Sequence, residues 1–128
     1  MVVVDSDVWI HYLHSPESPT GSALQALLDA NQVVMLGVVL AEVLQGARTE
    51  REYSTLLPRL DAVPYEETTK ESWAAAGQMA AQLRGSGKTI PLTDIAIAAL
   101  AIEGGHELFS LDGHFERIPD LKLYSNRP

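Results

Sequence analysis

Four carboxylates, spread along the whole chain, lie within or at the ends of strongly apolar segments. They are Asp5, Glu42, Asp94 and Asp112. Asp5 ends a run of valines, Asp94 lies in the first turn of a helix that is apolar on nearly every side, and Asp112 follows an apolar strand. Because open α/β sheets bind ligands at strand ends, we predict that all four meet in one catalytic acidic cluster.

The chemistry that such a cluster favours is that of a divalent cation. Carboxylate oxygens are hard ligands that suit Mg²⁺ or Mn²⁺ and suit zinc poorly. Magnesium takes one or two direct carboxylates and keeps several waters, so the remaining acids could hold those waters, bind a second ion or act as a base. A cation held in this way lowers the pKa of an attacking water and screens a scissile phosphate, as metal-assisted phosphodiester hydrolysis requires.

Three of these acids also have a purely structural interpretation. Asp5 could cap a helix, although we expect Ser6 or Asp7 to do so and to leave Asp5 free. Glu42 could belong to an exposed polar stripe on its own helix. Asp112 begins an Asp-Gly pair, which is a common turn signal, so it counts only together with the other acids.

Serines and histidines near the acids are weaker candidates. Ser6 and Ser110 each lie close in sequence to one acid and could orient a carboxylate or a metal-bound water, although turn and capping roles are the ordinary interpretation. The four histidines lack the spacing of a metal motif, and we expect them to be solvated or locally hydrogen-bonded. They are His11, His14, His106 and His114.

One apparent phosphate-binding motif is set aside. The segment Gly85-Ser86-Gly87-Lys88-Thr89 resembles the end of a P-loop, but the glycine that the pattern requires five places before Gly87 is Gln82. The segment also follows a predicted helix, whereas a P-loop follows a strand. A flexible linker is the better interpretation.

Five short apolar segments are predicted as the strands that position the acids. The first two are buried by composition, and the third is an edge strand weakened by Pro64. The five are Met1–Val4, Gln32–Leu36, Asp61–Tyr65, Glu107–Leu111 and a last strand around Lys122–Tyr124.

Six helices are predicted between these strands. They are Val8–His14, Thr20 or Ser22 to about Asn31, Val38–Ala47, Thr49–Leu60, Thr68 or Thr69 to about Arg84, and Pro91 to the stop at Gly104-Gly105. In the fourth we expect Tyr53, Leu56 and Leu57 to face inward, and the alanine-rich middle of the fifth favours close helix approach or a dimer contact. The alternation predicts an α/β fold with a mostly parallel central sheet flanked by helices on both faces.

Length and composition narrow the class of protein. The 128 residues predict one domain covering 1–128, and 46% hydrophobic residues indicate a globular fold. The lack of cysteine, of a basic leader and of an apolar run long enough for a membrane is consistent with a cytoplasmic location and no membrane partner. A net charge of −8 argues against a plain nucleic-acid-binding module, but a metal-dependent nuclease stays compatible with it.

Four segments together resemble one known family. They are V-V-V-D-S at 2–6, V-V-L-A-E-V-L-Q-G-A at 38–47, L-T-D-I-A-I-A-A-L-A at 92–101 and S-L-D-G-H-F at 110–115. No segment is specific alone, but in this order and spacing the chain is similar to PIN-domain ribonucleases, and most to the VapC toxins of bacterial toxin–antitoxin pairs.

This resemblance implies a fold, an activity and a set of partners. It implies that Asp5, Glu42, Asp94 and Asp112 form the catalytic acidic quartet, with Asp5 and Asp94 as the surest metal contacts. It further implies metal-dependent cleavage of RNA with Mg²⁺ or Mn²⁺, a homodimer, and a cognate VapB-like antitoxin whose tail can enter the acidic site. Larger toxin–antitoxin assemblies are also expected from it.

Two other classes of function share some features of the sequence. A phosphorelay receiver domain would need a phosphate-accepting aspartate at a strand end, and Asp61 begins its predicted strand. A haloacid-dehalogenase-like phosphatase would use Asp5 as nucleophile and Asp7 as acid, but the chain is short for that fold and lacks its paired-aspartate loop.

Overall fold

A four-stranded sheet forms the centre of the molecule. The structure is a computed structural model that describes residues 1–125, and its strands are β1 (Val2–Val4), β2 (Val33–Leu36), β3 (Tyr65–Glu66) and β4 (Glu107–Phe109). The strand order is β3-β2-β1-β4, and each of the three pairings between them is parallel. The predicted α/β class with a parallel sheet is therefore confirmed.

Six α-helices connect and cover the strands of residues 1–125. They are α1 (Ser6–His14), α2 (Pro19–Asp29), α3 (Gly37–Leu44), α4 (Glu50–Asp61), α5 (Lys70–Gly85) and α6 (Leu92–Glu103), and a short 3₁₀ helix spans Gly113–Arg117. No helix within those residues is long and apolar enough to span a membrane.

The order of the strands creates a switch point between β1 and β4. The chain moves from β1 to β2 to β3 in one direction and then returns across the sheet to β4. Right-handed crossovers place the helices of the outward path on one face and α5 and α6 on the other. The crevice beyond the ends of β1 and β4 is the place where such sheets bind ligands.

The core is built from the strands and from α6. All residues of β1 and β2 are buried, as their continuous apolar sequences predict for strands covered on both faces. Residues Ile95 to Ala101 of α6 are also all buried, which confirms α6 as the core helix. On α5, Ala76 packs against Ala96 and Ala99 of α6, so the small residues of α5 permit close helix approach.

Three predicted strands differ from those observed by more than one residue. The prediction of a strand at Asp61–Tyr65 was wrong, because α4 continues to Asp61 and the strand is Tyr65–Glu66. Pro64 has no N–H and contributes only its carbonyl, which accepts from the N–H of Met35 at 2.7 Å. The strand from Glu107 ends at Phe109, and within residues 1–125 the strand predicted around Lys122–Tyr124 is a single parallel bridge between Leu108 and Leu123.

The helix boundaries differ by one to three residues, mostly because of their caps. Helix α2 begins at Pro19 with Ser18 as its N-cap, since proline suits the first helical position and the Ser18 hydroxyl accepts from the N–H of Gly21. Helix α3 ends at Leu44 and not at Ala47. The expectation that Tyr53 faces inward was wrong, because its side chain lies on the exposed side of α4 and is 43% exposed.

The segment that resembles part of a P-loop connects two helices. Gly85 ends α5, Gly87 has a positive φ of 81°, and α6 follows. A loop that follows a helix lacks the strand-to-helix geometry of a phosphate-binding loop, so the linker interpretation is confirmed.

Candidate active site

Asp5 lies at the switch point of the sheet. It directly follows β1, and its backbone N–H donates to the carbonyl of Phe109, the last residue of β4, at 2.9 Å. Residues that follow these two strands therefore lie side by side. The pairing positions Asp5 beside the loop that carries Ser110 and Asp112.

The Asp5 carboxylate is held by hydrogen bonds from both sides. Its Oδ1 accepts from the N–H of Ser6 at 2.8 Å, and its Oδ2 accepts from the hydroxyl of Ser110 at 2.8 Å. The expectation that Ser6 or Asp7 would cap α1 was wrong, since both are inside the helix and Asp5 is the N-cap. The suggestion that Ser110 orients a carboxylate is confirmed.

Burial raises the pKa of the Asp5 carboxyl group to about 7. The residue is only 5% exposed, and the loss of water around the charged form is the largest cause. Repulsion from Asp7 and, more weakly, from Asp94 adds to the rise, while the hydrogen bonds from Ser110 and Ser6 oppose it. Asp5 is thus a buried carboxyl group surrounded by other acids.

Glu42 points from α3 toward the same acids. Burial raises the pKa of its carboxyl group, followed by repulsion from Asp94 and from Asp7, and a hydrogen bond with the side chain of Ser6 opposes the rise. Its Oε1 atom is buried and has no hydrogen-bond partner within residues 1–125. A glutamate on an exposed polar stripe would show neither feature, so Glu42 belongs to the cluster.

Asp94 and Asp112 meet at the ring of His114. The Nδ1 atom of His114 lies 3.3 Å from Oδ2 of Asp94 and 3.3 Å from Oδ2 of Asp112. One ligand atom from each of these three residues lies within 4.8 Å of the other two. The side chain of Asp94 is 16% exposed and that of Asp112 is 38% exposed, so this part of the cluster opens to solvent.

Asp112 also organises its own loop. Its Oδ1 caps the 3₁₀ helix by accepting from the N–H of His114 at 2.9 Å, and its own N–H donates to the hydroxyl oxygen of Ser110 at 3.1 Å. The turn interpretation of Asp112 is therefore correct, and it coexists with a place in the cluster. Ser110 links Asp5 to this loop through one side chain.

Asp7 is a fifth acid that sequence reasoning treated only as a cap or a phosphatase acid. Its Oδ2 accepts from the N–H of Leu111 at 3.1 Å and from Ser110 at 3.3 Å, and its Oδ1 is buried without a hydrogen-bond partner in residues 1–125. Burial is the largest cause of its raised pKa. The sequence signal that could have shown this is its position two residues after Asp5, within the first helical turn.

His114 is the other residue that the sequence left outside the cluster. Its location two residues after Asp112 was visible, but its contact with Asp94 depends on the approach of α6. The remaining histidines lie elsewhere, and His106, for example, bonds to Glu66 at 3.2 Å. The candidate site therefore consists of the four predicted acids together with Asp7, Ser110 and His114.

The composition of the site suits a divalent cation. Within residues 1–125, none of the five acids forms an ion pair with a lysine or arginine. Carboxylates gathered without basic partners raise one another's pKa, as found for Asp5 and Glu42, and the unpartnered Oε1 of Glu42 offers a further oxygen. Hard oxygen atoms in this arrangement fit Mg²⁺ or Mn²⁺.

A cleft on another part of the surface lies away from these five acids. Its volume is about 790 Å³, and it runs between α1 and α4 with Ile10, Leu56, Arg48, Arg51 and Arg59 among its lining residues. It contains none of the five acids. A smaller pocket of about 250 Å³ is lined by Ser110 and Asp112.

Comparison with known proteins gives a consistent result. A family model described as PIN domain matches residues 2–121. The chain is 28% identical over 134 residues to ribonuclease VapC11 of Mycobacterium tuberculosis, covering 99% of this chain and 100% of that protein.

Solved structures match the fold over nearly the full length. The VapBC2 complex of Rickettsia felis, bound to a DNA fragment from its promoter, matches with a TM-score of 0.82 and 20% identity, covering 97% of this chain and 98% of that one. DNA-bound VapBC of Salmonella typhimurium matches with a TM-score of 0.84 and 18% identity, covering 98% of each chain.

Proposed function

Because this chain belongs to the PIN domain family, we propose that it is a VapC-type endoribonuclease, the toxin of a toxin–antitoxin pair. It hydrolyses phosphodiester bonds of RNA with the help of Mg²⁺ or Mn²⁺. The observation that carries this proposal is the convergence of Asp5, Glu42, Asp94 and Asp112 on one edge of the sheet. The similarity to a protein named as a VapC ribonuclease supports it.

In this proposal the acids divide the work of holding a dication and water. Asp5 and Asp94 would hold the cation, and Glu42 and Asp112 would complete the site by binding its waters or by accepting a proton from the attacking water. The bound dication supplies Lewis-acid chemistry, since it lowers the pKa of water and screens negative charge on the phosphate. The hydroxyl of Ser110 links Asp5 to the loop of Asp112 by hydrogen bonds to both residues.

A cation bound by the acids would allow an acidic protein to act on RNA. At a net charge of −8, the chain repels a polyanion at long range. A dication held by these acids would offset part of their negative charge and would give the phosphate a cation to contact. RNA binding therefore depends on the cation in this proposal.

The partners belong to the same proposal. We propose a cognate VapB-like antitoxin, because the matching structures from Rickettsia felis and Salmonella typhimurium are VapBC complexes. We also propose a homodimer, larger assemblies with the antitoxin, a cytoplasmic location and a single domain over 1–128. Light scattering of the chain alone and with its antitoxin tests the assembly state.

An RNA cleavage assay tests the activity. Purified protein is expected to cut RNA in Mg²⁺ or Mn²⁺ and to stop on chelation. Asp5→Asn and Asp94→Asn should abolish cleavage while circular dichroism shows an unchanged fold. Glu71→Gln, which changes an exposed acid on α5, is the matched control. Cleavage that survives chelation or either aspartate substitution would refute the proposal.

The structure favours neither of the other two classes. Asp61 ends α4 and does not lie at a strand end, as a receiver domain needs. Asp7 receives hydrogen bonds from Leu111 and Ser110, so it is engaged in holding the loop and not free as an acid toward a phosphomonoester.

A further inference from the structure

The ring of His114 points its Nδ1 atom into the gap between two carboxylates of the site. We infer that His114 is a direct nitrogen ligand of the dication, so that this site takes a mixed oxygen and nitrogen set and prefers Mn²⁺ to Mg²⁺. This inference rests on the proposed function, because it concerns the same cation.

The first support is geometric. Two neighbouring ligands of an octahedral ion at about 2.1 Å lie about 3 Å apart. The distances from Nδ1 of His114 to Oδ2 of Asp94 and to Oδ2 of Asp112 are both 3.3 Å. The Nδ1 atom of His114 therefore lies at nearly the spacing of adjacent coordination positions from each of these two oxygen atoms.

The second support is the way in which the histidine is held. The backbone N–H of His114 donates to Oδ1 of Asp112 at 2.9 Å. The next residue, Phe115, is almost completely buried in the core. The backbone of His114 is thus tied on both sides. A ring carried on such a rigid turn loses little conformational freedom on binding a cation.

The third support comes from oxygen atoms of other elements. Oε1 of Glu42 and Oδ1 of Asp7 are both buried and have no hydrogen-bond partner within the part of the chain from 1 to 125. A buried carboxylate oxygen normally has a partner, so these two atoms are available to a cation or to the waters that it holds. They lie on α3 and α1, outside the turn that carries His114.

The choice of metal follows from ligand chemistry. Magnesium prefers an all-oxygen shell and dehydrates reluctantly, whereas imidazole is a good ligand for first-row transition metals. Mn²⁺ accepts both carboxylate and imidazole. One nitrogen in the set therefore shifts the preference toward Mn²⁺.

Electron spin echo envelope modulation of the Mn²⁺-loaded full chain tests the inference. A nitrogen bound directly to Mn²⁺ modulates the echo, and we expect this signal in the natural protein. It should vanish in His114→Asn and persist in His11→Asn, which changes an exposed histidine of α1. Titration with each metal alone should show ~10-fold weaker binding of Mn²⁺ by His114→Asn and a smaller loss for Mg²⁺.

The outcomes separate the two proposals. Mn²⁺-dependent RNA cleavage by the natural protein without nitrogen modulation overturns the inference and leaves the proposed function intact. Failure of the natural protein both to bind Mn²⁺ or Mg²⁺ and to cleave RNA overturns both. Uniform ¹⁵N-histidine labelling of the natural protein must change the modulation pattern, and this test holds even where His114→Asn fails to fold.

Discussion

The hydroxyl of Ser110 donates to the carboxylate of Asp5 at 2.8 Å, although the two residues are 105 positions apart in the sequence. Each residue directly follows a strand, and the two strands are neighbours in the sheet. The same serine oxygen accepts from the N–H of Asp112. One side chain therefore couples the buried acid to the loop that carries the more exposed one.

Removal of this hydroxyl should disturb the site without unfolding the protein. In Ser110→Ala we expect a loss of about 1 kcal/mol in the free energy of unfolding, as is typical for a partly buried hydrogen bond. Dication affinity and RNA cleavage should fall, because Asp5 loses a donor that favours its charged form. Ser86→Ala, which removes a surface hydrogen bond to Gln82, serves as the control and should leave cleavage unchanged.

The raised pKa of Asp5 makes metal-free stability depend on pH. The unfolded carboxyl group titrates near its ordinary value of 3.8, and the folded one near 7, so the folded state binds more protons between these values. The contribution of Asp5 to the free energy of unfolding is therefore fully present below about pH 4. It is lost as the pH rises toward 7, by on the order of 4 kcal/mol at most.

Denaturant titrations at pH 5 and pH 7.5 measure this dependence. In Asp5→Asn the part due to Asp5 should disappear, so its stability should change less between the two pH values. An equal change in the natural protein and in Asp5→Asn would show that Asp5 is not responsible.

Dication binding should reverse the destabilisation at neutral pH. A ligand that binds only the folded state at 100 times its Kd adds about 2.7 kcal/mol. We expect Mn²⁺ to raise the melting temperature of the natural protein at pH 7.5 and to have little effect on Asp94→Asn. A melting temperature that is unchanged by Mn²⁺ and by Mg²⁺ would argue against a cation in this cluster.

Substitution of Asp7 should raise the stability of the metal-free protein and lower its dication affinity. Its charge repels that of Asp5, so Asp7→Asn is expected to lower the pKa of Asp5 and to raise metal-free stability at pH 7.5 by about 1 kcal/mol. Dication affinity should fall, since the substituted amide side chain offers only a neutral oxygen to the loop and to any cation. Parallel denaturation and Mn²⁺ titrations of this variant check both directions, and a variant that is less stable and binds Mn²⁺ normally would contradict them.

The contact between α5 and α6 should tolerate only small residues. Ala76 is almost fully buried against Ala96 and Ala99, so Ala76→Leu should reduce the free energy of unfolding by about 1–3 kcal/mol through overpacking. Ala74→Leu, on the exposed side of the same helix, is the matched control and should change stability little. Thermal denaturation of the two variants gives the comparison.

Much of the fold could be predicted from local patterns. The valines of β1 and the apolar residues of α6 predict burial because a continuous apolar segment is stable only when covered on all sides. Local rules failed where capping decides the boundary, as at Ser18, and where α4 lies on the surface with Tyr53 exposed. They also failed at Asp61, where α4 continues into a segment whose sequence predicts a strand.

The sequence by itself determined which acids are available and which rigid elements carry them, since Asp5 directly follows the valines of β1 and Asp94 lies in the first turn of α6. Only the tertiary structure decided that Asp7 and His114 join them. Asp7 enters because β4 lies beside β1 and brings Leu111 within hydrogen-bonding distance, and His114 enters because its turn meets the start of α6. Contacts of this kind depend on the order of strands in the sheet, which is set by the packing of the whole chain and by no local pattern.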